Sequence, residues 1–170
     1  MDKKSNIILR KATMKDAEVL FQWKNDPDTI ANSITKRGVT MEEHVNWLQK
    51  VIENPNRQLF ILEVNQLSVG QLRLDLDILK DENKTSNSYE SKMSPSVTAE
   101  ISYGLGAEYR GKGLGRVLLE QAEHFAETLK IKELTAEVLP HNLASQKLFR
   151  SLDFVEEQKD DLYVYRKTYE

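Results

Sequence analysis

Thr98-Ala99-Glu100-Ile101-Ser102-Tyr103-Gly104-Leu105, then Arg110-Gly111-Lys112-Gly113-Leu114-Gly115, then Val117, Leu118, Ala122, Phe125 and Leu129 make up the decisive stretch of this 170-residue chain. The first run predicts a strand, the second a glycine-rich turn, and the third an amphipathic helix. Main-chain N–H groups at a helix start have no partner within the helix and point outward. Together with the helix dipole they form an anion site. Glycines at 111, 113 and 115 leave no Cβ between a phosphate and the backbone, and Arg110 and Lys112 add positive charge. These residues predict a pyrophosphate ligand.

Two familiar phosphate motifs do not fit. No stretch matches the nucleotide-triphosphate loop G-x-x-x-x-G-K-[ST]. The dinucleotide pattern G-x-G-x-x-G needs its third glycine one residue later, and it follows the first strand of its fold, whereas this turn falls late in the chain.

Working outward, Ile7 to Ala12 predicts a strand, and Thr13 with Asp16 a helix start ending near Asn25-Asp26, before Pro27. Thr40 with Glu43 is a second capping box, and Val45, Leu48, Val51 and Ile52 follow on one helix face. Leu59–Val64 and Ser68–Asp77 predict strands around an Asn65-Gln66 turn. Residues 80–96 are polar and aperiodic, which predicts a long loop, either an insertion or a substrate lid. After the glycine turn and its helix come a strand at Glu133–Leu139, a helix capped by Asn142, and two closing strands near Phe154-Val155 and Leu162–Tyr169. The order β-α-α-β-β-β-α-β-α-β-β predicts an α/β chain: one mixed sheet with helices on both faces, in a single domain over residues 1–170.

Bulk properties narrow the function classes. The net charge of −3 provides no global basic field for nucleic acid. The absence of cysteine removes thiolate catalysis, thiolate metal sites and a covalent acyl-cysteine. His44, His124 and His141 lack metal-ligand spacing, so no metal is expected. No segment has the ~18 apolar residues of a membrane helix, and no apolar run follows the basic pair at Lys3-Lys4, so a cytoplasmic protein without a membrane partner is expected.

Arg110-Gly111-Lys112-Gly113-Leu114-Gly115 resembles the [QR]-x-x-G-x-[GA] signature of the GNAT superfamily of N-acetyltransferases. Ala99–Leu105 resembles that family's fourth strand. Glu137-Val138 through Asn142, Phe149 and Phe154 resembles its fifth strand and N-x-x-[AS]-x-x-x-[YF]-x-x-x-x-F segment. The resemblance spans essentially the whole chain. It implies the acyl-CoA N-acyltransferase fold, a sheet splayed between strands four and five, and acetyl-CoA as co-substrate. It also implies a division of labour in the site. Main-chain groups of Tyr103, Gly104 and Leu105 pair with the pantetheine arm. Amides of Arg110, Gly111, Lys112, Gly113, Leu114 and Gly115 hold the pyrophosphate. Asn142 and Phe149 line the cofactor.

The implied reaction is direct attack of a primary amine on the thioester in a ternary complex. Most primary amines are protonated at neutral pH, so a base is useful. Glu100 and Glu137 are the candidates, each flanked in sequence by apolar residues. Phe149 stands where many members carry a tyrosine, and it cannot protonate a thiolate; Tyr103, Tyr163 or water remain for that role. Trp23, Asn25, His44 and Arg73 are the candidate acceptor-binding residues. The stretches around Trp23 and His44 resemble the branch that acetylates nucleotide-linked amino sugars of pseudaminic-acid type. Polyamine and ribosomal-protein N-terminal acetyltransferases are the alternatives within the family, and a non-catalytic acetyl-CoA-binding module is the alternative outside catalysis. A small-molecule amine partner is expected, acting on a monomer or homodimer.

Overall fold

The computed structural model describes residues 5–79 and 96–170, so the expected loop at 80–96 lies outside the described residues except for Ser96. The strands are β1 (Ile7–Lys11), β2 (Arg57–Val64), β3 (Leu67–Leu79), β4 (Ser96–Leu105), β5 (Ile131–Val138), β6 (Val155–Lys159) and β7 (Leu162–Thr168). The helices are α1 (Ala17–Lys24), α2 (Pro27–Ala31), α3 (Met41–Glu53), α4 (Leu114–Thr128) and α5 (Leu143–Ser151). The order matches the expected one apart from α2. Pro27 does end α1, but it then opens α2 as its first residue, with the Asp26 carboxylate accepting from Thr29 N–H at 3.1 Å. Proline is suited to that position because its missing N–H would have no helical partner there.

The seven strands among the described residues form one mixed sheet, in the order β1-β2-β3-β4-β5-β7-β6. The β2–β3 turn places Asn65 and Gln66 at φ 50° and 68°, both in the left-handed region that a tight hairpin requires. β4 and β5 are parallel, joined through α4, and every other neighbouring pair is antiparallel.

Strand alternation sends apolar residues to two separate cores. Leu72, Leu74, Ala99, Ile101, Leu134 and Ala136 pack on one face with Leu118, Leu119, Ala122 and Ala126 of α4 and Phe149 of α5. Leu129, expected on that stripe, instead caps the end of α4 and is 49% exposed. On the other face Leu59 and Ile61 meet Leu20, Leu48 and Val51 of α1 and α3. This second core is small. It covers β2 and leaves the same face of β3, β4 and β5 for polar side chains.

The first core packs α4 and α5 against the sheet, and the second is anchored near β1. There Asp16 is buried and receives two hydrogen bonds from Arg10, at 2.8 and 2.9 Å, and one from Thr13 N–H at 2.8 Å. Burial alone would raise the Asp16 pKa; the Arg10 and Thr13 hydrogen bonds outweigh it and hold it below the ordinary carboxylate value. Its contribution to stability is therefore present above the unfolded pKa of about 3.9 and is lost as pH falls through the lower folded value. Asp16→Ala is expected to cost about 2 kcal/mol at pH 7 in urea unfolding, with the difference from wild type shrinking below about pH 4.

Candidate active site

β4 and β5 pair from Val97 and Ile131 as far as Glu100 and Thr135 and then part. β4 continues to Leu105 and β5 to Val138. On its far side β4 stays bonded to β3 up to the Leu105–Gly70 pair. The main chain from Ile101 to Leu105 thus presents donors and acceptors toward β5 with no strand to meet them, and such groups demand a partner. A cleft of about 970 Å³ opens here, lined among others by Tyr103, Gly104, Leu105, Asn142 and Phe149.

The cleft ends at the glycine turn. Gly111 and Gly113 have φ of 71° and 79°, and a Cβ at either would meet nothing within 4 Å. Backbone conformation, not crowding, demands glycine there. α4 begins with no side-chain cap and no acidic residue in its first turn, so its leading amides face the cleft as bare donors. Gly115 is a different case: its Cβ would lie 3.2 Å from Leu148, so it lets α4 and α5 approach. The turn thus fits the diphosphate of coenzyme A by its main chain.

The side chains of the turn behave otherwise. Arg110 reaches away to α2, donating to Asp26 at 2.6 Å, Asp28 at 3.1 Å and Thr29 at 3.2 Å. Lys112 places Nζ over the Tyr109 ring, 5.8 Å from its centroid. Asn142 uses its side-chain oxygen to cap α5, accepting from Ser145 N–H at 3.3 Å. Phe149 is only 1% exposed and is wedged against Phe154 and Tyr165.

Tyr103 joins the sheet to α5. Its hydroxyl is 2.7 Å from the Ser145 hydroxyl, and both residues line the cleft. Burial pushes the phenol up from its ordinary pKa, with the Ser145 hydrogen bond opposing. Tyr163, the other candidate proton donor, does not line the cleft; it packs against the core.

The polar face of β3–β5 forms the cleft floor. Glu100 and Glu137 both lie there and both are exposed. Their apolar sequence neighbours, Ala99, Ile101, Ala136 and Val138, point to the opposite face, so the expected apolar surroundings are absent for both. Loss of hydration nonetheless raises the Glu100 pKa. Glu137 and Asp75 add to the shift, and Arg73 and Arg57 oppose it. Asp75 stands opposite Glu100 across the β3–β4 ladder, tied to Arg73 at 3.1 Å. Its other oxygen lies 3.4 Å from Arg57 without hydrogen-bond alignment.

The remaining wall comes from the N-terminal half. His44 is 3% exposed, occupying the buried stripe of α3 with Leu48 and Val51. It stacks on Trp47 with centroids 5.5 Å apart, and Phe21 lies 5.8 Å away on another side. Burial lowers its pKa, with a main-chain acceptor at Ala17 opposing and the Lys24 charge assisting. Arg73 stacks over Trp47 at 5.8 Å, and His44, Trp47 and Arg73 all line the cleft. Trp23 and Asn25 do not. The Trp23 indole presses on Gly106 from behind, where a Cβ would come within 2.8 Å of Nε1, and Asn25 exchanges two hydrogen bonds with the Val39 main chain, at 3.0 and 2.8 Å.

Lys24, which the sequence did not single out, does reach the cleft. Among the described residues its ammonium meets no carboxylate, only the Ser33 hydroxyl at 3.5 Å. Loss of hydration and repulsion from Arg73 and Arg37 lower its pKa. Its signal lay in position alone, one residue beyond Trp23 on the last turn of α1.

A parted pair of parallel strands, ending at an uncapped glycine-rich helix start, defines the class of acyl-coenzyme-A N-acyltransferases. The chain belongs to the acetyltransferase (GNAT) domain family, whose model matches residues 6–155. It is an N-acetyltransferase of the family whose acyl donor is acetyl-CoA. It is similar to the acetyltransferase PseH of Campylobacter jejuni, 26% identical over 156 residues that span 90% of this chain and 87% of the relative. Its fold is that of a domain from Methanocaldococcus jannaschii, at TM-score 0.76 and 23% identity over 98% and 100% of the two chains. The ribosomal L7/L12 α-N-protein acetyltransferase RimL in complex with coenzyme A shares the fold at TM-score 0.74 and 18% identity, over 97% and 95%.

Gly113→Ala forces a side chain into the left-handed region, at a cost of about 1–2 kcal/mol. If the turn relaxes to avoid that strain, the amides lose their aim. A drop of about tenfold in coenzyme A affinity is expected by calorimetric titration, with the far-UV circular dichroism unchanged.

Proposed function

We propose that residues 1–170 act as one domain that transfers acetyl from acetyl-CoA to a primary amine carried by an anionic small molecule, of the nucleotide-linked amino-sugar kind. The observation that carries this reading is Lys24. It is half-buried in the acceptor half of the cleft, beside Arg37 and Arg73, and its charge has no carboxylate partner among the described residues. A polyamine would add positive charge to that cluster, whereas a phosphate would relieve it. The likeness to PseH supports the amino-sugar choice.

Glu100 serves as the base. It has no hydrogen-bond partner among the described residues, and its raised pKa brings its proton affinity closer to that of the amine it relieves. The freed nitrogen attacks the thioester carbonyl, a C–N bond forms, and the C–S bond breaks. Coenzyme A supplies the activated acetyl group and leaves as a thiolate, and the proton shed by the newly acylated nitrogen passes to it through water or the Tyr103–Ser145 hydroxyl pair. Main-chain groups of Tyr103–Leu105 align the arm and the amides of Arg110–Gly115 fix the diphosphate. Glu137, whose charge bears on Glu100, is the alternative base. Phe149, lacking a hydroxyl, favours a second reading in which the chain binds acetyl-CoA without turning it over.

Thiol release from acetyl-CoA with a panel of amines separates these readings. Amino-sugar nucleotides should be turned over faster than spermidine or peptides with free N-termini; a preference for spermidine overturns the anionic acceptor, and no release with any amine favours the binding module. Lys24→Met should raise KM for the anionic acceptor about tenfold while leaving KM for acetyl-CoA in place. Because the base must be ionised, kcat/KM should rise with pH through the raised Glu100 pKa. Glu100→Gln should lower the rate about 10²–10⁴-fold and erase that acidic limb, which Glu137→Gln should retain.

A further inference from the structure

The first residue of the glycine turn has its guanidinium committed elsewhere. Arg110 holds both Asp26 and Asp28 and also the Thr29 hydroxyl, all at the start of α2. Its hydrogen bond is the largest influence on the Asp26 carboxyl and holds that pKa below the ordinary carboxylate value. At the other end of α2, His141 Nε2 lies 2.9 Å from the Ala31 carbonyl oxygen. Arg110 belongs to the loop after β4, and His141 to the loop after β5. The segment from Asp26 to Gly38 is therefore tied to the ends of both parted strands, and the Asn25–Val39 hydrogen bonds close its base. Its inner side, with Asp28, Thr29, Ser33 and Arg37, lines the acceptor half of the same cleft.

We propose that Arg110 is a positioning residue that docks the acceptor wall, residues 26–38, onto the diphosphate turn, so that coenzyme A binding stiffens the wall that receives the amine. This rests on the reading that the amides of residues 110–115 hold the diphosphate. The guanidinium would otherwise be assigned to the phosphates, and the two roles differ in what happens when Asp26 is neutralised. If Arg110 is a docking residue, losing either partner has the same effect. If it is a phosphate ligand, removing Asp26 frees it and tightens the coenzyme. Asp26→Asn suits this comparison because asparagine still caps a helix while its charge is gone. Arg110→Lys keeps the charge but not the planar fork that spans two carboxylates.

The test uses the full chain: wild type, Arg110→Gln, Arg110→Lys and Asp26→Asn. Coenzyme A affinity is read by calorimetry, and amide hydrogen exchange across residues 26–38 is read with and without coenzyme A. Neither readout needs the acceptor's identity. All three variants are expected to keep coenzyme A affinity within about threefold and to lose the coenzyme-induced protection of residues 26–38. Arg110→Gln combined with Asp26→Asn should do no more than either alone. With an acceptor in hand, its KM should rise in all three while kcat changes little. A coenzyme A affinity about tenfold weaker in Arg110→Gln, but unchanged or tighter in Asp26→Asn, overturns the proposal in favour of a phosphate ligand. Wild-type protein that takes up coenzyme A without protecting residues 26–38 overturns it too and leaves the cofactor site standing. Failure of wild type to take up coenzyme A sinks the cofactor site and this coupling together.

Discussion

The loss of pairing between β4 and β5 beyond Glu100 and Thr135 is the constraint on which the rest of the molecule depends. A parallel pair that stays closed leaves no interior for a long flexible ligand. One that parts leaves main-chain groups on both sides in need of partners. Parting is tolerable here because each strand is held elsewhere: β4 by β3 along its whole length, and β5 by β7. α4 and α5 pack side by side on one face through Gly115 and Leu148, so the helices close that side of the opening that the strands leave. The cleft thus begins in the sheet's own topology, and the segment after α2 adds a further wall.

Charge is divided along the cleft by a simple economy. At the cofactor end, the main chain supplies the positive field through uncapped amides of α4, and the formal charges of the turn are engaged with carboxylates and an aromatic ring. At the acceptor end the arrangement reverses: the positive field comes from side chains, with Arg73 held between Asp75 and Trp47 and Lys24 left without a counter-charge among the described residues. The carboxylates Glu100 and Glu137 line the same cleft, and their charges, with that of Asp75, bear on one another.

Particular residues show where the sequence was legible. Thr40 with Glu43, Asn142 as a cap, and Asn65-Gln66 as a turn all depend on contacts within a few residues, and each occurs as the local pattern predicts. α2 was missed because Pro27 carries two messages, an end for one helix and a start for the next, and only the surroundings select both. Glu100 and Glu137 looked apolar in their surroundings because sequence neighbours in a strand are opposite faces in space. His44 was assigned to the acceptor site from its surroundings in sequence, and it does line the cleft; its burial between Phe21 and Trp47 was not legible, since Phe21 belongs to another helix.

The sequence by itself determined the glycine-rich turn that opens α4, the order of strands and helices apart from α2, and the family to which the chain belongs. Each of these follows from backbone conformations and periodicities that a few consecutive residues fix. Only the tertiary structure decided that the Arg110 guanidinium is engaged by Asp26 and Asp28, that Trp23 and Asn25 do not line the cleft, and that Lys24 does. Those outcomes depend on which partner, 80 or more residues away along the chain or on the opposite side of a helix, reaches a side chain first. No local pattern of residues carries that information.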